Sequence, residues 1–464
     1  MSTPDVDQPR PKLASTLQRR HLSMIAIAGV IGAGLFVGSG AAIKQAGPGA
    51  LLAYAVCGLL VILVMRMLGE MSAANPETGS FSAYADRAIG PWAGFTIGWL
   101  YWFFWVVVLG VEATAGATIV HRWLPGVPQW TCALILMALL TVTNLFSVRS
   151  YGEFEFWFAS IKVAAIAVFL LVGVVAILGL IPGFASPGLS NLTGHGGFLP
   201  NGTSPVFAAM LVVVFSFFGA EIATVAAGES ADPGHAVRSA VRSVVWRIIV
   251  FYLGSIAIVV TLLPWDDAGV AKSPYVAVLD RIGLPAAGVV MDVIVLTSVL
   301  SCLNSGLYTA SRMMFSLSNR QDAPQFLGRI GKTGVPTAAV LVSTVVGFVT
   351  VIFNYLSPDT VFLFLTNSSG AIAVFVWIVI AVSQLRMRRQ LERDAPERLT
   401  LRMWGYPYLT WASIVAMVVL LAGMAFDADA RSQLLLSLLV GALVLGLSFV
   451  RHRVRVRASA RTSV

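Results

Sequence analysis

Twelve apolar runs, each long enough to cross a bilayer, constrain this chain more than any motif does. They lie near residues 22–41, 50–69, 91–120, 130–148, 156–182, 205–227, 243–263, 285–317, 337–356, 358–385, 407–425 and 433–450. About 18 to 20 apolar residues in helical form cross the ~30 Å of hydrocarbon. Inside that layer each backbone amide and carbonyl needs a partner within its own segment, which leaves helices as the spanning element for runs of this length. The expected fold class is an all-α integral membrane protein with twelve transmembrane helices. The composition agrees: 57% of the chain is hydrophobic and 11% charged, more apolar material than a soluble core requires. The first run follows polar residues 1–20 and shows no small-residue cleavage pattern, so it reads as a span and not as a signal peptide. Cys57, Cys132 and Cys302 all fall inside runs, where they read as small buried hydrophobes and not as a disulfide framework or metal site.

Basic residues set the expected orientation. With twelve spans both termini share a side. Of the 31 Lys and Arg, 25 lie on that side, while Lys44, Arg122, Lys272, Arg281 and Arg431 lie on the other and Lys162 lies within a span. The termini are therefore expected to be cytoplasmic, in a plasma or inner membrane. The net charge of +9 is a topology signal on this reading, and no nucleic-acid motif surrounds it.

Two spans are interrupted. The first carries Gly29, Gly32 and Gly34 within "IAIAGVIGAGLFVGSG", and the sixth carries Gly219, Glu221 and Gly228 within "FSFFGAEIATVAAGES". Broken helices five spans apart point to a five-plus-five inverted repeat with a binding site near the midplane. The expected organisation is a cytoplasmic tail over 1–20, a first repeat over 21–182, an outer loop over 183–204 and a second repeat over 205–385. A cytoplasmic loop over 386–406, two extra helices over 407–450 and a tail over 451–464 complete it. At a break the free amides can receive a carboxylate and the free carbonyls an ammonium. Glycine lets a ligand approach the backbone. The competing reading makes Gly32, Gly34 and Gly38 small packing faces between helices.

"LSMIAIAGVIGAGLFVGSG", "GEMSAANPETGSFSAYADRAIGPWAGFTIGWLYWFFW", "VVFSFFGAEIATVAAGES" and "SVLSCLNSGLYTASRMMFSLSNRQDAP" resemble the bacterial amino acid permeases of the amino acid, polyamine and organocation transporter superfamily. The resemblance covers roughly residues 15–455. Its wording is nearest to the 4-aminobutyrate permeases in "GWLYWFFWVVVLGVEA", "SYGEFEFW", "GFLPNG" and "IAVSQLRMR". It implies twelve helices with the inverted repeat, and uptake coupled to protons. It also implies a substrate carboxylate at Gly32, Ala33 and Gly34, with the amides of Ala33 and Gly34 as its donors. The amine would meet the carbonyls of Val30, Phe215 and Phe218, and Phe215 would serve as an aromatic gate; the plainer reading of Phe215 is a core or lipid-facing residue.

Charges inside spans are costly, about 2.5 to 3.5 kcal/mol each at a helix centre on insertion scales, and tend to mark function. Lys162 matches the family's span-5 lysine, which implies a proton as the coupling ion; snorkelling to the cytoplasmic face is the alternative. Glu221, two residues past Gly219, is a proton-coupling candidate, or else a ligand for loose amides at the break. Glu112, deep in span 3, could take a proton or the distal amine of the substrate, or make a packing contact. Asp292 reads as structural. Ser298, Ser301 and Asn304, with Asn367, Ser368 and Ser369, could line the path or bond between helices, and Ser368 is taken as a binding candidate. Residues 312–336 are expected to lie along the membrane surface as an amphipathic piece, and the basic tail to favour anionic lipid.

His21, His121, His195, His235 and His452 are scattered, with no HExxH or comparable set, which argues against a membrane-embedded enzyme and against a cofactor. The sequence therefore predicts a proton-coupled importer of 4-aminobutyrate or a related small amino acid. The alternatives are a permease for aromatic, proline-like or basic alpha-amino acids and, more remotely, a nutrient sensor or channel. The expected partners are substrate, protons and lipid, with no nucleic acid and no particular oligomeric state implied.

Overall fold

The computed structural model describes Met24 and residues 31–77, 80–146, 148–222, 224, 233–331, 334–426 and 428–462. Every regular element among the described residues is helical. Up to residue 182 these are α1 (Ala33–Phe36), α2 (Gly38–Ala46), α3 (Ala50–Ala74), α4 (Ser80–Ala88), α5 (Pro91–Trp123), α6 (Gln129–Phe146) and α7 (Val148–Ile177). A short α8 (Ser190–Thr193) lies between spans 5 and 6, followed by α9 (Ser204–Phe217), α10 (Pro233–Trp246), α11 (Gly254–Leu262), α12 (Ala268–Lys272) and α13 (Pro274–Arg281). The chain continues with α14 (Pro285–Asn319), α15 (Thr337–Leu356), α16 (Pro358–Asp394), α17 (Tyr408–Phe426) and α18 (Ala428–Thr462). All twelve expected runs fall on these helices, with α1 and α2 forming the described part of span 1 and α10 and α11 flanking a π-helical turn at Arg247–Leu253 in span 7.

Burial separates core helices from peripheral ones. Within its most apolar stretch α5 is 83% buried, whereas α17 is 28% and α18 17% buried. Helix α5 is thus surrounded by protein, packed along α14, α16, α6 and α15. Helices α17 and α18 lie at the edge, outside the ten spans that hold the centre. Large apolar side chains turned outward, such as Leu171, Val289 and Val345, form the face that hydrocarbon solvates. In water that face would be a liability.

Three boundaries differ from expectation. Helix α14 runs through Asn319, so residues 312–319 end a span and do not lie on the membrane surface. Ser311, Arg312, Met313, Met314 and Phe315 are buried, because the ends of neighbouring helices enclose them. Helix α16 continues to Asp394, so the first part of 386–406 is helix. Its charged end is supported by an Arg388–Glu392 pair one turn apart. Arg247, expected among the cytoplasmic charges, is 2% exposed and interacts electrostatically with Tyr252 and Glu221.

Past α16 the chain folds back as a strap. Glu70, near the C-terminal end of α3, accepts from Gln384 Nε2 at 2.7 Å, Arg388 Nη1 at 2.5 Å and the Met403 amide at 2.6 Å. Arg66 donates to the Arg402 carbonyl and lies over the Trp404 ring. One buried carboxylate therefore ties span 2, span 10 and the segment before α17 together.

Candidate functional site

The break in span 1 is occupied by a side chain of the protein itself. Gly32 is the N-cap, its carbonyl accepting the Leu35 and Phe36 amides, and the chain becomes helical at Ala33. The Ala33 amide donates to both carboxylate oxygens of Glu112, at 3.2 Å to Oε1 and 3.0 Å to Oε2. A Cβ on Gly32 would stand 2.5 Å from Glu112 Oε1 and 2.6 Å from Cys302 Cβ, so glycine is what allows α5 and α14 to close on this backbone. Glu112 is 1% exposed, and the Cys302 thiol bonds to its carboxylate.

The span 6 break lies against the span 1 break. Ser216 Oγ donates to the Gly34 carbonyl at 2.5 Å, and a Cβ on Gly34 would meet Ser216 Cα at 2.7 Å. Tyr252 donates in turn to the Ser216 carbonyl at 2.9 Å. After Ser216 and Phe217 the helix stops. Phe218 is extended and Gly219 has φ 105°, a left-handed backbone that favours glycine. Glu221 caps the break: its Oε2 accepts the Gly219 amide at 2.7 Å, and its Oε1 accepts Trp377 Nε1 of α16 at 2.5 Å.

Between the two breaks a cavity of about 10 Å³ is lined by Gly34, Phe104, Trp105, Glu112, Phe215 and Phe218, with Val108, Ser216 and Cys302 closing it. Aromatic contacts seal its walls, with Phe104 and Phe218 ring centroids 4.0 Å apart and Phe218 and Trp377 5.7 Å apart. That volume suffices for about one water. A ligand enters only if Glu112 and the aromatic side chains move.

Lys162 is fully buried and does not snorkel. Its ammonium interacts electrostatically with Glu155, Cys302 and Glu112. Sequence reasoning passed over Glu155, although it precedes Lys162 by seven residues, two helical turns, and so shares its face. Ser216, Trp377 and Cys302 also join the site, and only a fold could bring them there. Of the remaining expected residues, Gly32, Ala33, Gly34, Phe215 and Phe218 come together, whereas Val30 and the side chain of Ser368 lie outside the described residues. Asp292 pairs with Arg122 at 2.8 Å, away from the breaks. Among the described residues no group of three or more His, Cys, Asp or Glu is arranged to hold a metal ion.

A bundle of membrane-crossing helices with two broken spans facing each other over a small polar centre defines a secondary-transporter class of protein. The sequence profile of the amino acid permeases matches residues 21–462, and the chain belongs to that family. It is 56% identical to a gamma-aminobutyric acid permease of Bacillus subtilis, with 98% of this chain and 97% of that protein covered. It is 53% identical to a gamma-aminobutyric acid permease of Escherichia coli, with 89% of each covered, and 44% identical to an aromatic amino acid transport protein of Corynebacterium glutamicum, with 94% and 95% covered. Among solved structures, a manganese transporter mutant of Eremococcus coleocola superposes with a TM-score of 0.56 at 14% identity, covering 93% of this chain and 92% of that one. That likeness extends to the fold. The protein is a multi-pass membrane transporter of the amino acid permease family.

Proposed function

We propose that this chain imports 4-aminobutyrate or a closely related small amino acid together with protons, by alternating access. The observation that carries the reading is the Ala33 amide held by both oxygens of Glu112, since a backbone donor that binds an internal carboxylate is fitted to bind a substrate carboxylate. The substrate displaces Glu112 from Ala33. Freed of its amide donor, a charged Glu112 would be stranded in a low-dielectric centre, so it takes a proton or pairs with the substrate ammonium. Substrate entry and proton entry are thereby linked at one atom. Lys162, coupled electrostatically to Glu112, receives that proton on the way inward. Phe215 and Phe218, with Phe104, close over the ligand. Glu221, whose two oxygens already hold Gly219 and Trp377, serves the same cycle by fixing the span 6 break.

The choice of 4-aminobutyrate is supported by the relatives that are 53–56% identical over most of their length. An alpha-amino acid is the second reading, favoured by the closeness of Glu112 to Ala33, which would suit an ammonium one carbon from the carboxylate. The two repeats are assigned to residues 21–182 and 205–385, and both termini to the cytoplasm, on the distribution of basic residues. The test is uptake of labelled 4-aminobutyrate by purified protein in liposomes under an inward proton gradient, in competition with each common amino acid. Concentrative uptake blocked by 4-aminobutyrate and its analogues alone supports the reading. Uptake of another amino acid in its place rejects the substrate, and accumulation indifferent to the proton gradient rejects the coupling.

A further inference from the structure

One fully buried carboxylate has no task in the cycle above. Glu155 of α7 has no exposed surface. Its Oε1 accepts the Ser301 hydroxyl of α14 at 2.6 Å, with Ser305 and Asn304 alongside. Asn304 is itself held by Asn144 of α6 at 2.6 Å. Its Oε2 is buried without a hydrogen-bond partner. A buried carboxylate whose donors leave one oxygen bare is incompletely stabilised as an anion in the interior. Two things can relieve it: the ammonium of Lys162, or a proton.

The groups facing Glu155 are few. Helices α14, α11 and α6 pack against α7. In α14 the charged residues are Asp292 and Arg312, with Cys302 and Tyr308 as its other titratable side chains; α6 adds only the thiol of Cys132, and α11 adds none. Asp292 is held by Arg122, and Arg312 lies over the Tyr308 ring, seven residues beyond Ser305. Lys162 is the charged group that acts on Glu155, and Lys162 is also coupled to Glu112. Glu112, Lys162 and Glu155 therefore form a series that starts at the Ala33 amide and advances two turns along α7 toward its Arg149 end.

We infer that Glu155 is the inward proton acceptor of this transporter. When the inner side opens, the ammonium of Lys162, two turns further along the same face of α7, passes its proton through water to the unpartnered Oε2 of Glu155, which leaves a neutral amine and a neutral carboxylic acid. The acid then releases the proton to cytoplasmic water and returns to the carboxylate, while the amine takes its next proton from Glu112. The transfer between Lys162 and Glu155 creates no new charge, and at the end of the cycle the Lys162 ammonium again acts on Glu155 while the Ala33 amide again holds the Glu112 carboxylate. This inference rests on the proton-coupled reading above.

The test compares the parent protein with Glu155→Gln in liposomes, by two assays of labelled 4-aminobutyrate. Counterflow exchange needs binding and alternation but no net proton release. Accumulation under a proton gradient needs all three. Glu155→Gln is expected to exchange within about twofold of the parent and to lose accumulation at least tenfold. Glu155→Asp, which keeps a carboxylate, is expected to recover part of the accumulation with a displaced pH profile. Accumulation by Glu155→Gln within twofold of the parent overturns the inference. So does loss of exchange and accumulation alike in both variants, which would make Glu155 a packing residue. If the parent itself concentrates substrate without regard to the proton gradient, the coupled reading fails and the role of Glu155 falls with it.

Discussion

Glu112, on span 3, holds the Ala33 amide of span 1 through both carboxylate oxygens, at 3.2 and 3.0 Å. A side chain from the interior thus stands where a substrate carboxylate would stand, and the two compete for one donor. Glu112→Gln weakens the competitor, because a neutral amide accepts a backbone N–H less strongly than a carboxylate does. Direct binding of 4-aminobutyrate should tighten in this variant, while gradient-driven accumulation falls at least tenfold. Weaker binding would show instead that Glu112 contacts the ligand favourably.

Closeness of the two breaks makes a second prediction. A methyl group at Gly34 would meet the backbone of Ser216 at 2.7 Å, and backbone cannot swing aside as a side-chain tip can. Gly34→Ala should therefore push spans 1 and 6 apart, with an overpacking cost of about 1–3 kcal/mol. Expected are a protein that still purifies as a folded species and an uptake rate reduced more than tenfold. Normal uptake would mean that the spacing of the breaks does not govern binding.

Some of this was legible in the sequence. Twelve runs of sufficient length required helices, and the glycines around residue 32 and residue 219 marked the breaks, because backbone without a side chain is costly in a helix unless something uses it. Lys162, Glu112 and Glu221 were visible as charges in apolar surroundings. Glu155 escaped because polar Glu153 and Tyr151 precede it, so it reads as the edge of a span; only the contact with Ser301 shows it to be interior. The Glu112–Ala33 bond joins residues 79 apart and depends on where α5 lies against α1, which no local pattern encodes. The ends of α14 and α16 were placed too early because hydropathy follows the hydrocarbon boundary, whereas helices continue through the headgroup layer wherever neighbours or ion pairs such as Arg388–Glu392 sustain them.

Glu221 separates capping from coupling. Its oxygens hold the Gly219 amide and the Trp377 indole, bonds that a glutamine oxygen can accept only in part. Glu221→Ala should leave a buried amide and indole unsatisfied, at about 1–3 kcal/mol each, and reduce thermal stability in detergent. Glu221→Gln should recover more than half of that loss and retain gradient-driven accumulation. Loss of accumulation with stability preserved would assign the coupled proton to Glu221.

Near the C-terminal end of α3, Glu70 is 1% exposed and bonded to Arg388, Gln384 and the Met403 amide. Removing Glu70 leaves Arg388 with Glu392 alone and the Met403 amide and Gln384 without their acceptor, a loss of about 1–3 kcal/mol per buried group left unsatisfied, while replacing both Glu70 and Arg388 with apolar groups costs less. Glu70→Ala should thus lower the unfolding temperature sharply, and the double variant Glu70→Leu with Arg388→Met should restore most of it. If the strap before α17 also restrains span 2 during opening to the inside, the restored double variant will exchange substrate faster than the parent, with the same affinity. Equal exchange rates would limit the Glu70 cluster to stability.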